Sequence, residues 1–185
     1  MFNFHFLIAI HTIFLIAIFF TLIKSYYEDR FFGTLVSKYT NYKMTQEEGA
    51  LSLLHISHDL AQSNYVIRDE SDLYMRKALF DFLHPRLLKR RIDCGDFTLV
   101  LALALQRYGL NVRIAQMKNA KKEGAHILLE AKIGDSWVVL DPKYDLAFIR
   151  PDGRLASFND VKQNWEYFKK QVPLNYNMSY RYEDV

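Results

Sequence analysis

Two stretches decide the fold of this chain: residues 93–109, DCGDFTLVLALALQRYG, and residues 125–142, AHILLEAKIGDSWVVLDP. The first stretch is apolar nearly all round in its middle, which predicts a helix buried among other elements. Asp93 is a residue type that caps helix N-termini, and Gly109 suits the left-handed position after a helix. The second stretch contains two apolar runs separated by a Gly-Asp pair, so it predicts a β-hairpin.

The predicted hairpin places His126 and Asp141 on one face of its sheet. With a two-residue loop at residues 134–135, Ile133 faces Ser136, and Asp141 becomes a diagonal neighbour of His126. Diagonal neighbours lie about 7–8 Å apart, within reach of their side chains. A four-residue loop keeps this parity, whereas a three-residue loop separates the two side chains. The opposite face is apolar and is expected to be core: Ile127, Leu129, Ala131, Ile133, Val138 and Leu140.

Helices are predicted before the buried helix. Thr45 and Glu48 form a T-x-x-E capping box for a helix over residues 46–62, whose apolar positions recur at helical spacing. Ser71 is a candidate cap for a second helix that ends near His84, just before a proline.

Strands and turns dominate after the buried helix. Residues 111–117, NVRIAQM, predict a strand, and Pro-Asp-Gly at 151–153 predicts a turn. Ser157 is a candidate cap for a last helix through Phe168, and the aromatic tail 173–185 has no assignment. Helices followed by an antiparallel sheet predict the α+β class.

The N-terminal segment 4–23, FHFLIAIHTIFLIAIFFTLI, predicts a membrane helix. It holds no Lys, Arg, Asp or Glu, and about twenty apolar residues span the roughly 30 Å hydrocarbon core. A cleavable signal peptide is the rival interpretation, but no basic residue precedes the run and no small-residue cleavage site follows it. An uncleaved anchor is therefore favoured.

Charges around this segment predict its orientation. Lys24, Arg30, Lys38 and Lys43 all follow the helix, and the positive-inside bias then places the rest of the chain in the cytoplasm. The expected organisation is an anchor over 1–24, a juxtamembrane connector over 25–43 and a catalytic domain over 44–185.

Composition narrows the function classes. The formal net charge of +3 is too small to indicate a nucleic-acid partner, which a basic stripe would mark. The single cysteine allows no disulfide within the chain, and it lacks the ligand spacing of a structural zinc site. No metal or cofactor is expected, and any thiol chemistry must fall on Cys94.

Cys94, His126 and Asp141 form a candidate catalytic triad. A helix N-terminus favours a thiolate, although the carboxylate of Asp93 opposes this unless it caps the helix or pairs with an arginine. A cysteine enzyme also needs a base and a residue that orients it. Taken singly, the three residues have simpler interpretations as a buried small side chain, a structural histidine and a turn residue. Their order and shared sheet face favour catalysis.

The blocks DCGDFTLVLALALQRYGL, GAHILLE and WVVLDP resemble the transglutaminase-like superfamily of papain-type cysteine enzymes. In that family a cysteine opens a helix, a histidine begins a strand, and an aspartate ends the next strand before a proline. The resemblance implies a papain-like or transglutaminase-like core, with Cys94, His126 and Asp141 as catalytic residues. It also implies a thioester intermediate formed from a protein or peptide substrate.

Several functions stay open at this point. The thioester can pass to water, as in a peptidase or amidase, or to an amine, as in an acyltransferase, and hydrolysis is the default. The alternatives are a catalytically silent binding or scaffolding module at the membrane, or a small membrane protein whose helix joins a larger assembly. His55, His58 and His84 are interpreted as structural, and Glu130 as a partner of a nearby Lys or Arg or a second candidate for the orienting role.

Overall fold

The computed structural model describes residues 4–62, 93–118, 123–180 and 182. The helix predicted from Ser71 to near His84 lies outside these residues. The elements are α1 (Phe4–Tyr39), α2 (Gln46–Gln62), α3 (Cys94–Tyr108), β1 (Val112–Lys118), β2 (Gly124–Ile133), β3 (Ser136–Asp141), β4 (Leu146–Ala147), α4 (Phe158–Gln163) and α5 (Trp165–Phe168). Helices packed on an antiparallel sheet confirm the α+β class.

The sheet has the strand order β1-β2-β3-β4, with every neighbouring pair antiparallel. Ile133 pairs with Ser136 across a two-residue loop, so the predicted register of the hairpin is confirmed. Gly134 in that loop has a φ of 57°, a left-handed conformation that glycine adopts without steric cost. This register carries His126 and Asp141 to the same face.

The helices cover one face of the sheet. Leu129, Ala131, Val138 and Leu140 from the sheet join buried residues of α1, α2 and α3 in one core. Four of the six residues predicted for this face are thus confirmed as core. Ile133 is partly buried against the same cluster, whereas Ile127, near the start of β2, is half-buried and lies outside it. Both helix predictions next to this face are confirmed as well, because Thr45 and Glu48 cap α2 reciprocally and Gly109 ends α3 at a φ of 96°.

The C-terminal segment covers the other face of the sheet. Met117, Leu128 and Val139 pack there against Phe148, against α4 and α5, and against the tyrosines of the tail. The central strands β2 and β3 are therefore largely buried on both faces, whereas most of the edge strand β1 is exposed. The face that carries His126 and Asp141 lies under this second apolar layer.

The last helix differs from its prediction. Ser157 caps it through a capping box with Asp160, as expected, but the helix ends at Gln163 and a separate turn of helix starts at Trp165. Asn164 between them has a φ of −128° and a ψ of 39°, outside the helical region. The break has a packing reason, since it directs the Trp165 ring onto Phe148 and the tail.

Helix α1 is continuous from the apolar N-terminal segment through most of the predicted connector. Its first part is exposed, and it is long and apolar enough to cross a membrane. Its second part contributes Phe31, Phe32 and Leu35 to the core between the helices and the sheet. An ion pair of 2.8 Å between Asp29 and Arg107 also joins α1 to α3. One continuous helix thus carries both the membrane-length apolar segment and side chains of the core.

Candidate active site

Cys94 is the first residue of α3, directly after the cap. The Asp93 carboxylate accepts hydrogen bonds from the backbone N–H groups of Gly95 and Asp96, at 2.9 and 3.3 Å. Asp93 is therefore held in a capping role, the role that sequence analysis required if its charge was not to oppose the thiolate. The thiol itself is half-buried. It lies at the positive end of the helix, where an anion is favoured.

His126 and Asp141 form a buried pair on adjacent strands. The Nε2 atom of His126 lies 2.7 Å from Oδ2 of Asp141, and the two side chains are 0% and 1% exposed. Charge-assisted hydrogen bonds of this length are among the strong ones in proteins. The register of β2 and β3 brings together these two predicted residues, which lie fifteen positions apart in the chain.

The other ring nitrogen of His126 is left for Cys94. Nδ1 is buried and makes no hydrogen bond of standard geometry with the described residues. The Cys94 thiol still lies close enough to interact with the ring, and a hydrogen bond with His126 is the main cause that lowers the pKa of this thiol. Catalytic hydrogen bonds are often loose before substrate binds. All three predicted residues therefore meet in one place.

The pKa values of the Cys94 thiol and the His126 imidazole move in the directions that a thiolate–imidazolium pair requires. Burial opposes the charged forms of both groups. The backbone of Ile127 and the charge of Lys143 nevertheless help His126 to lower the pKa of the Cys94 thiol. Burial tends to lower the pKa of the His126 imidazole, but hydrogen bonds to Asp141 and Cys94 outweigh burial and raise that pKa above its ordinary value.

No protein-family model, curated protein or solved structure matches this chain. The resemblance to transglutaminase-like enzymes thus stays a prediction. What supports a function is the geometry of the site itself.

Four tyrosines that were not predicted from the sequence line the site. The ring of Tyr180 stacks on the His126 imidazole with a centroid distance of 4.4 Å and an interplanar angle of 4°. Tyr144 meets the same imidazole edge-on at 5.8 Å and packs against Tyr176 at 4.6 Å. The hydroxyl of Tyr182 lies 3.0 Å from that of Tyr176. The aromatic content of the tail was the one signal for this cluster in the sequence, because the spacing of the tail's tyrosines does not indicate contact with a histidine more than fifty residues earlier.

Glu130 lies away from the triad. It is four residues from His126 along β2, about 13 Å at strand spacing. Its Oε2 accepts a hydrogen bond of 2.6 Å from Nε of Arg113, whose guanidinium lies 4.4 Å from the centre of the Trp137 ring. Glu130 is therefore the partner of a nearby arginine, which was one of the two interpretations from the sequence. It does not reach His126, so it is not the orienting residue. A groove of about 1050 Å³ runs past Arg113 and Trp137, and its lining does not include Cys94, His126 or Asp141.

The two histidines of α2 hold the turn that follows β3. Nδ1 of His55 lies 2.7 Å from a carboxylate oxygen of Asp145, and Nδ1 of His58 lies 2.8 Å from the backbone oxygen of Pro142. Both histidines are thus structural ties between α2 and the loop that carries Lys143. Across the described ranges, no three His, Cys, Asp or Glu side chains come together as metal ligands.

Proposed function

We propose that this chain is a membrane-anchored cysteine enzyme of transglutaminase-like type, which acts on an amide or peptide bond through a thioester. The observation that carries the proposal is the buried 2.7 Å contact between His126 and Asp141, which leaves the second ring nitrogen of the histidine for Cys94. Nucleophile, base and orienting residue in this order are the minimum set for thiol catalysis.

The reaction follows from these positions. The Sγ atom of Cys94 attacks the substrate carbonyl carbon, while Nδ1 of His126 holds the thiol proton. The carbonyl oxygen becomes an oxyanion, for which backbone N–H groups at the start of α3 are candidate donors. The tetrahedral intermediate then collapses: the C–N bond breaks, the proton moves from His126 to the leaving amine, and a thioester remains on Cys94.

The second half of the reaction regenerates the thiol. Water attacks the thioester carbonyl carbon and transfers a proton to His126. The C–S bond then breaks, the acyl group leaves as a carboxylic acid, and the Cys94 thiolate recovers its proton from the imidazolium. An amine in place of water gives acyl transfer instead. Hydrolysis is the default, because water needs no binding site of its own. Throughout, Asp141 stabilises the imidazolium and fixes its orientation without itself taking the proton.

The path of α1 supports a position at the membrane surface. Only about 12 Å of helix, at 1.5 Å per residue, separates Ile23 at the end of the apolar segment from Phe31 in the core. Phe31 is 0% exposed, so the same helix that carries the apolar segment is packed into the core a short distance further on. We propose that the enzyme acts on polypeptides near the bilayer, on the cytoplasmic side that the basic residues after the helix favour.

The test is covalent labelling followed by substrate profiling. The full chain in detergent micelles or vesicles is treated with peptidyl electrophiles that trap nucleophilic cysteines, and then with a panel of peptides and amides. We expect adduct formation and turnover in the wild type, and neither in Cys94→Ala. A wild-type thiol that resists the electrophiles at neutral pH would favour the silent binding module instead.

A further inference from the structure

The C-terminal tail places one aromatic ring flat against His126, the proposed base. Tyr180 lies 4.4 Å from the His126 imidazole, centroid to centroid, and the two planes differ by 4°. A nearly parallel pair at this centroid distance is an offset stack, one of the two geometries that aromatic rings prefer. A contact this nearly parallel defines the plane of the imidazole.

A single hydrogen bond leaves the orientation of the His126 ring incomplete. The bond from Nε2 to Asp141 fixes one ring atom, but rotation about the Cβ–Cγ bond moves Nε2 little because it lies near that axis. The same rotation swings Nδ1 through a wide arc, toward Cys94 or away from it. A flat surface against the imidazole removes this freedom, and Tyr180 supplies that surface.

Tyr180 is itself held in place by the second apolar layer, so its ring is a fixed surface. It is 7% exposed and meets the ring of Tyr176 edge-on, at 5.7 Å and 84°. Tyr176 is tied in turn to Tyr182 through their hydroxyls, 3.0 Å apart. A buried ring in such a cluster keeps its place, which distinguishes it from a lid over the site.

We propose that Tyr180 is a positioning residue, whose ring holds the His126 imidazole in the plane that directs Nδ1 at the Cys94 thiol. This inference rests on the proposed function. It extends that function by assigning a role to the C-terminal tail, which contributes no residue to the triad.

Tyr180 also contacts Lys143, through a hydrogen bond that is separate from the stacking on the imidazole. Burial tends to lower the pKa of the Lys143 ammonium, but Tyr180, Tyr144 and the charge of Cys94 raise it above its ordinary value. The ammonium thus stays charged beside the thiol. The hydroxyl of Tyr180 contacts Lys143, and its ring stacks on the imidazole. The two parts of the side chain can therefore be tested separately.

The experiment measures the rate at which iodoacetamide alkylates Cys94 in the full chain, as a function of pH. Tyr180→Leu and Tyr180→Met remove the flat ring but keep apolar volume, and Tyr180→Phe keeps the ring without the hydroxyl. Tyr167→Leu is the matched control, since Tyr167 is 40% exposed and packs on Phe168 away from the triad. Because one pKa unit changes the thiolate fraction about tenfold below the pKa, we expect a loss of about tenfold or more at neutral pH in the Leu and Met variants.

The expected pattern is a raised thiol pKa in Tyr180→Leu and Tyr180→Met, and a profile close to the wild type in Tyr180→Phe and Tyr167→Leu. The wild-type protein gives an independent arm, because a stacked ring shifts the proton resonances of the His126 imidazole upfield. That arm keeps the proposal testable if both ring-removing variants unfold. The proposal is overturned by a wild-type profile in a folded Leu or Met variant, by an equal shift in Tyr180→Phe, or by imidazole resonances without the ring-current shift. A wild-type thiol with an ordinary pKa would instead refute the proposed function.

Discussion

Replacing Asp141 by Asn should remove most of the reactivity of Cys94 while leaving the fold in place. The carboxylate contacts Nε2 of His126 at 2.7 Å in a site where both side chains are almost fully buried. Two unit charges whose centres lie about 4 Å apart interact by about 4 kcal/mol at an effective dielectric constant of about 20. At 1.36 kcal/mol per factor of ten, loss of this attraction disfavours the imidazolium by about 10³-fold, so the pKa of the imidazole falls.

The thiolate population should follow that change. Burial alone lowers the pKa of His126, and the bond to Asp141 is the largest of the effects that oppose burial. Without the carboxylate the imidazole is neutral at neutral pH, and the Cys94 thiol keeps its proton. We expect inactivation by a peptidyl electrophile to slow by about 10³-fold, near the loss of about 10⁴-fold known for the equivalent change in a serine enzyme. Because the histidine can release its proton, no unpaired buried charge remains to unfold the chain.

The matched control is Glu130→Gln, the same loss of a carboxylate on the same face of the sheet, but on the neighbouring strand. Glu130 pairs with Arg113 and does not reach His126, so this variant should be inactivated at the wild-type rate within about threefold. Equal rates for Asp141→Asn and the wild type across the pH range would refute the orienting role of Asp141. Equal losses in both variants would show that the effect comes from general destabilisation.

Three further predictions concern stability, each read from urea unfolding. Replacing His55 by Ala should lower the free energy of unfolding by less than about 1 kcal/mol, because the His55 side chain in its pair with Asp145 is largely exposed. The hydrogen bond to Asp145 raises the pKa of His55. The loss of stability should therefore be complete below the ordinary pKa of histidine and fade as the pH rises through the raised pKa. Removing residues 1–24 should leave one cooperative unfolding transition. Removing residues 1–43 also deletes three buried side chains, which stabilise the fold by roughly 5–9 kcal/mol at about 1.5–3 kcal/mol each. A single transition of near-normal midpoint after the second deletion would contradict the packing of α1. Replacing Gly109 by Ala should cost about 1–2 kcal/mol, because its φ is 96° with open space around it; an unchanged midpoint would contradict the left-handed cap.

The parts of the fold that rest on local chemistry were predictable from the sequence. Asp93 and Gly109 bound α3 through caps that need only neighbouring backbone groups. The two-residue loop fixes the register of β2 and β3, and register alone decides that His126 and Asp141 share a face. The candidate triad could therefore be predicted without knowledge of the rest of the molecule.

The parts that depend on distant contacts were not predictable. The stacking of Tyr180 on His126 joins residues more than fifty positions apart in the chain, and no periodicity in the tail marks it. The helix break at Asn164 follows from the packing of Trp165 against Phe148 and the tail, which outweighs the continuous helix that the Ser157 cap suggested. In each case tertiary packing decides a conformation that local propensity leaves open.

The pH dependence of Cys94 alkylation in the folded and unfolded chain tests the central claim most directly. Cys94 is the only cysteine in the sequence, so the same thiol in denaturant gives its ordinary reference. A thiolate–imidazolium pair predicts fast alkylation at and below neutral pH in the folded protein, with a thiol pKa well below that of the unfolded chain, and loss of this difference in His126→Gln. A folded thiol whose pKa equals or exceeds the unfolded value would contradict the pairing of Cys94 with His126 and, with it, the assignment of this site as catalytic.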